Sequence, residues 1–272
     1  MRRKGGRRVN ETAERNLMQG HVFDIEASGL SDRGKIRAIN EDAIGVFSGK
    51  RFFVIADGMG GYADGDKASA VTVDAVAEFF TNELLDELGE YPDRCRTALP
   101  EAVMHAHGKT LDAAAGRNSG LISGSTIALS FIHGRYLHVC HVGDSRVYII
   151  NQSGITQLTD DHSNVGDLVR MGKMSPEEAR TSPLRNQVSQ ALGSPFGIRP
   201  EYRRQPLCHG DIILLCTDGL WDMVDNKCLL ETVRAEPDLE RCCRALVDAA
   251  NAAGGEDNVS VILVRVRTVT RS

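Results

Sequence analysis

No stretch of this 272-residue chain is apolar for anything near the ~18 residues that a membrane-spanning helix needs, and the longest apolar blocks are short ones such as 52–56 and 212–216. A transmembrane helix is excluded, and no membrane partner is expected. The seven cysteines include no Cys-x-x-Cys pair, which removes the common zinc and dithiol motifs. An odd, scattered set reads as reduced thiols in a cytoplasmic protein. The first 20 residues contain no apolar block, so they do not form a secretory signal. No repeat with a period of 20 to 50 residues is visible, and no low-complexity linker follows residue 20. The expectation is a monomer with one domain over residues 21–268, preceded by a flexible basic tail at 1–20.

Charge is present but unevenly spread. There are 37 acidic residues against 32 basic ones, a formal charge of −5, of which the tail carries +4 and the remainder −9. The acidic body argues against nucleic acid as a partner. With 42% hydrophobic and 25% charged residues, the chain has an ordinary globular composition and enough apolar material for a sizeable core.

Short apolar runs punctuated by Gly or Asp predict strands at 44–47, 52–56, 125–132, 136–142, 147–150, 211–216 and 259–267. Several are apolar at nearly every position, which implies burial on both faces. Connections at Gly49 to Lys50, Gly134 and Gly143 to Asp144 are of hairpin length, so neighbouring strands should be antiparallel. Helical spacing predicts one stripe over 66–88 through Ala68, Val71, Ala75 and Phe79, and another through Val103, Ala106 and Leu111 with Pro100 near its first turn. Ser175, Pro176 and Glu178 form a capping set for a short helix. A last helix carries Leu239, Cys243, Leu246 and Ala250 and stops at Gly254 and Gly255. The fold class expected is α+β, with antiparallel sheets covered by helices.

The carboxylates cluster at strand ends. Glu41 and Asp42 precede one expected strand, Asp57 closes the next, Asp144 sits between two more, Asp218 follows 212–216, and Asp257 precedes the last. In an antiparallel sheet the start of one strand and the end of its neighbour share a rim, so these acids can converge. Asp57-Gly58 and Asp218-Gly219 are also ordinary turn pairs. Acids brought within a few ångströms repel unless some are protonated or a cation sits among them. All-oxygen ligands without attendant His or Cys select a hard ion, Mg2+ or Mn2+.

These residues fall into an ordered set: Arg37-x-x-Asn40-Glu41-Asp42, Asp57-Gly58-Met59-Gly60-Gly61, Gly124-Ser125-Thr126, Gly143-Asp144-Ser145-Arg146, Thr159-Asp160-Asp161-His162-Ser163, Ala191-Leu192-Gly193, Thr217-Asp218-Gly219 and Glu256-Asp257-Asn258. The set resembles that of the metal-dependent protein phosphatases, type 2C, and in particular their compact bacterial branch. The resemblance implies a central antiparallel β-sandwich flanked by pairs of helices. It also implies a serine/threonine phosphatase in which a hydroxide bridging two metal ions attacks a phosphate monoester in line. Carried over by position, Asp57 bridges the two ions, Glu41 and the Gly58 carbonyl complete one site, and Asp218 and Asp257 complete the other. Asp144, with Asp218, holds a third and weaker ion. Arg37 grips the phosphate, since a planar guanidinium can fork two phosphate oxygens. Asn40, Asp42 and Asn258 orient the ligands or their water. Residues 163–190 take the place of the family's mobile flap. The implied substrates are phosphoserine and phosphothreonine proteins, among them the autophosphorylated form of an opposing Ser/Thr kinase.

Met59 stands where animal members of that family carry a histidine proposed as the acid for the leaving group, so that role is not carried over. Two rival readings are available. Cys140 and Arg146 have the spacing of cysteine-dependent phosphatases, although the segment runs on into a strand instead of the helix N-terminus that a thiolate needs. A non-catalytic phosphoprotein-binding module on the same fold would ordinarily lack one of the ligands.

Overall fold

The computed structural model describes residues 23–60, 64–115, 123–175, 178–179, 182–185 and 187–268. The basic tail at 1–20, Gly61 and Pro176 lie outside the described residues. The strands are β1 (Phe23–Asp32), β2 (Asp42–Phe47), β3 (Phe52–Met59), β4 (Gly124–Ser125), β5 (Ile127–His133), β6 (Tyr136–Val142), β7 (Arg146–Asn151), β8 (Gly154–Gln157), β9 (Glu201–Pro206), β10 (Ile212–Cys216) and β11 (Val259–Thr268). The helices are α1 (Gly65–Phe79), α2 (Asn82–Glu90), α3 (Cys95–Ala115), α4 (Asn164–Arg170), α5 (Asp218–Trp221), α6 (Asn226–Ala235) and α7 (Leu239–Ala252).

Strand alternation explains the layers. In β3, Phe53 and Ile55 point into a core shared with Val147, Ile213, Leu215 and Ile262, between two sheets. Phe52, Val54 and Ala56 point the other way, against Val76 of α1 and Leu99 of α3. In β10, Leu214 and Cys216 face Leu220 of α5 and Leu246 of α7. Successive side chains of one strand thus serve two cores, which is why these runs read as continuously apolar. One sheet has the order β1-β11-β10-β7-β8 and the other β2-β3-β5-β6-β9, with β4 extending β3. All strand pairs are antiparallel. The architecture is an antiparallel sandwich with helices on both outer faces, as expected.

Two local expectations are corrected. The stripe over 66–88 is two helices, because the chain breaks at Phe80 and Thr81, whose hydroxyl caps the second helix by accepting from Leu84 N–H at 3.2 Å. Pro100 lies just past the first turn of the 21-residue α3, inside the helix. The preceding turn is held by Arg94, which pairs with Glu87 and Glu101. Gly143 and Asp144 do not form a hairpin tip: β6 belongs to one sheet and β7 to the other, so this turn carries the chain across the sandwich. Gly143 makes the turn with φ at +103°, a region that L side chains rarely occupy.

Candidate metal centre

The two sheets present their ends to one rim, and the acids meet there. Asp42 and Asp57 are direct cross-strand partners on β2 and β3. Asp57 and Gly58 are not a turn. They continue β3, with Gly58 opposite Ser125. Asp218 opens α5 directly after β10, and Asp257 lies just before β11. A cavity of about 290 Å³ is lined by Arg37, Glu41, Asp57, Gly58, Asp144, Asp218 and Asp257, together with Met59, Thr126, Val188 and Asn258. Of the residues singled out from the sequence, Asn40 and Asp42 stand behind the lining.

Gly58 sits where nothing larger fits. Its N–H donates to Glu41 O at 3.0 Å, and a Cβ there would lie 2.0 Å from Gly65 O and 2.5 Å from Glu41 O. Gly65 begins α1, and its N–H donates to the Glu41 carboxylate, as an acid at a helix N-terminus should be met. A Cβ on Gly65 would come within 2.4 Å of Glu41 Oε1. Sequence reasoning missed Gly65, since an isolated Gly at the head of a helix stripe carries no signal of a distant glutamate.

Behind the lining, hydroxyls and amides fix the acids. Asp42 Oδ2 accepts from Thr217 Oγ1 at 2.9 Å and from Ser260 Oγ at 2.7 Å. Asn40 Oδ1 accepts from Asp42 N–H at 3.2 Å, while its Nδ2 donates to Ser31 Oγ at 2.7 Å. Asn258 ties down the loop that carries Arg37. Its Oδ1 accepts from Glu41 N–H at 2.8 Å, and its Nδ2 donates to Arg33 O at 2.8 Å and Ile39 O at 2.9 Å. Thr126 Oγ1 accepts from Asp57 N–H at 3.0 Å and lies 2.7 Å from Ser145 Oγ, lacing Asp57 to the Asp144 turn. Thr126 and Ser145 were legible as motif members but not in this role.

The electrostatics are those of a crowded anionic site. Burial, and then the charges of Asp218, Asp42, Asp144 and Asp257, hold the Asp57 carboxyl well above its ordinary value. Asp218 is pushed up to about 6, by burial first and Asp257 next. Burial pushes Asp42 up to about 7 despite its hydroxyl donors, and it raises Asp144 and Glu41 as well. Arg37 Nη2 donates to Asp257 Oδ2 at 2.6 Å. Asp144 Oδ2 and Asp218 Oδ1 are buried without a hydrogen-bond partner, a costly state for an ionised oxygen. Oxygens of this kind, unsatisfied and converging, fit hard divalent cations.

The cysteine route finds no support. Cys140 is fully buried in β6, and burial pushes its thiol up to about 12. Arg146 forks Asp161 at 2.9 and 2.6 Å and lies 3.5 Å over the Trp221 ring. It is committed to structure. His162 is buried beside His141 and Glu201, outside the cavity lining, which contains no histidine among the described residues.

Comparison with known proteins gives the same family from independent directions. The protein phosphatase 2C family model matches residues 35–260. The serine/threonine protein phosphatase PstP of Mycobacterium tuberculosis is 34% identical over 243 residues, covering 89% of this chain but 45% of that protein's length. The serine/threonine phosphatase stp of Listeria innocua is 32% identical over 245 residues, 88% of this chain and 95% of its own. Among solved structures, the catalytic domain of PstP in complex with two manganese ions superposes with a TM-score of 0.77 at 30% identity, covering 90% of this chain and 99% of that one. Stp1 of Staphylococcus aureus superposes at 0.79 and 30% identity, with 91% and 96% covered. The fold, the ordered motifs and the matched span agree, and the chain belongs to the protein phosphatase 2C family of metal-dependent serine/threonine phosphatases.

Proposed function

We propose that Glu41, Asp57, the Gly58 carbonyl, Asp218 and Asp257 hold two divalent cations, Mn2+ or Mg2+, with Asp144 and Asp218 contributing to a third and weaker one, and that the chain uses them to hydrolyse phosphoserine and phosphothreonine in proteins. The observation that carries this reading is the convergence of five carboxylates on one cavity beside a single arginine, with buried oxygens of Asp144 and Asp218 left without protein partners. When bound, such ions acidify water to make a nucleophile at neutral pH and offset charge on the phosphoryl group.

The residues of the chain do the rest. Arg37, at the mouth with its side chain half exposed, takes two phosphate oxygens in its planar fork. Asn258 keeps the 33–41 loop at the height that lets Arg37 and Glu41 face the same cavity. Asp42, Asn40 and their hydroxyl partners hold the acidic strands in register. Met59 and Val188 give part of the wall an apolar surface, against which the methylene or methyl of a phosphorylated side chain can rest. All seven cysteines are unpaired, and no helix of the described residues is long and apolar enough to cross a membrane. The unpaired thiols support an enzyme working in a reducing compartment, and we propose a cytoplasmic monomer for which a Ser/Thr kinase supplies the substrates.

The test is turnover of phosphothreonine and phosphoserine peptides against small phosphate esters, with Mn2+, Mg2+ and a chelator. Metal-dependent release of phosphate from the peptides, abolished by chelation, is expected. Metals bound without any turnover would favour a phosphoprotein-binding module instead.

A further inference from the structure

His162 is a motif residue that the chemistry above leaves unused. It is fully buried, and it meets Gly143, the residue before Asp144, twice. His162 N–H donates to Gly143 O at 2.9 Å, and Gly143 N–H donates back to His162 Nδ1 at 3.3 Å. One residue therefore satisfies both main-chain groups of Gly143. The His162 carbonyl in turn accepts from Ser189 N–H at 2.7 Å, next to Val188 in the cavity wall. The imidazole stacks on His141 with centroids 4.7 Å apart, and His141 Nε2 is 2.8 Å from Asp160 O.

His141, His162 and Glu201 bring ligand atoms within 4.8 Å of one another, a spacing that a metal ion can use. The hydrogen bonds point to a different role. Because Nδ1 accepts from Gly143, the proton of the neutral ring belongs on Nε2, where a metal would need a lone pair. Glu201 Oε1 lies 3.1 Å from Nε2, yet Nε2 makes no hydrogen bond. The carboxylate thus lies off the N–H axis and favours that tautomer by its charge alone.

The turn so gripped has little freedom. A Cβ on Gly143 would lie 2.6 Å from Thr126 Cγ2, so no side chain fits between the turn and the residue whose hydroxyl accepts from Asp57 N–H. On its far side, Trp221 Nε1 donates to Asp144 O at 3.1 Å. The Asp144 main chain is thus fixed from two directions while its buried Oδ2 has no hydrogen-bond partner.

We propose that His162 is a positioning residue: its Nδ1 lone pair clamps Gly143 so that the Asp144 carboxylate is aimed into the acidic cavity, and its carbonyl joins that turn to the flap edge at Val188 and Ser189. The proposal rests on the place given to Asp144 under the proposed function.

The experiment uses the full chain with Mn2+. His162→Asn puts an amide oxygen where Nδ1 lies, and His162→Leu keeps bulk without an acceptor. Should His162→Leu fail to fold, His162→Gln, whose amide reaches the place of Nε2 instead, takes its role. Hydrogen exchange at the Gly143 amide is read beside kcat and KM for a phosphothreonine peptide, with each variant also made on an Asp144→Asn background. His162→Leu should speed Gly143 exchange and lower kcat by about tenfold each with KM little changed, and His162→Asn should restore most of both. On the Asp144→Asn background the His162→Leu loss should shrink to below about twofold, because the two act through one group. Unchanged Gly143 exchange in His162→Leu, or a loss that multiplies in full with Asp144→Asn, would overturn the proposal. Wild-type turnover of Asp144→Asn would remove Asp144 from the centre, and the Gly143 exchange distinguishes that failure from failure of the clamp.

Discussion

Arg37 donates to Asp257 at 2.6 Å across 220 residues of sequence, so the proposed phosphate grip and a proposed metal ligand are in contact before any substrate arrives. Arg37→Ala should chiefly raise KM, because its partner in turnover is the substrate's phosphate. A charge-assisted fork is worth about 1.5–3 kcal/mol, so kcat/KM should fall roughly tenfold to a hundredfold. Steady-state kinetics with a phosphothreonine peptide read this directly. A fall in kcat of that size at constant KM would move Arg37 from binding to chemistry.

Gly65 gives a second prediction. The Cβ of Gly65→Ala would lie 2.4 Å from Glu41 Oε1 and 2.9 Å from Gly58 O, and the glutamate, as the flexible partner, must give way. Mn2+ affinity measured by calorimetry should drop about tenfold or more, and thermal stability without metal should fall modestly, because the Gly58 backbone oxygen must also shift. Unaltered affinity would take Glu41 out of the ligand set.

The raised carboxyls predict how stability depends on pH. Asp218 at about 6 and Asp42 at about 7 stand above the ~3.9 of an unfolded aspartate, so between these values the folded state binds more protons. Stability of the metal-free protein should therefore fall as pH rises from about 4 to about 7. Mn2+ competes with those protons, so it should raise Tm more at pH 7.5 than at pH 5. A chelated protein whose Tm climbs across that window would contradict the burial of these acids.

Cys140→Ser should retain most of its turnover, since the thiol is fully buried and its ionisation is pushed up to about 12. Burying a hydroxyl in its place should cost stability on the order of 1–3 kcal/mol, visible as a lower Tm. Loss of turnover with fold and metal binding intact would revive the thiolate route.

Much of this molecule was legible from its apolar runs. The strand read at 136–142 matches β6 residue for residue, and the last helix ends before Gly254 and Gly255 as its stripe required. What escaped were elements whose partners supply the signal. β9 is an edge strand of exposed and half-buried residues, Glu201–Pro206, with no apolar alternation to announce it, and β8 is only four residues long. The capping set at Ser175 is present, with Ser175 N–H donating to Glu178 Oε2 at 2.8 Å and Glu178 N–H to Ser175 Oγ at 3.2 Å. The Gly143 turn was misread as a hairpin because local length cannot say whether the next strand joins the same sheet. In the site, the acids were legible because their chemistry is written in residue type. Gly65, Thr126, Ser145 and the His162 contacts depend on who stands opposite, which only the folded chain specifies.

The most direct test pairs two measurements on wild type and Asp57→Asn: Mn2+ binding by calorimetry, and metal-dependent phosphate release from a phosphothreonine peptide. The account predicts at least two Mn2+ ions and robust turnover for wild type, with weakened binding and a rate lower by about a thousandfold or more for Asp57→Asn. An Asp57→Asn protein that binds Mn2+ as wild type does and still turns over peptide at the wild-type rate would contradict the central claim.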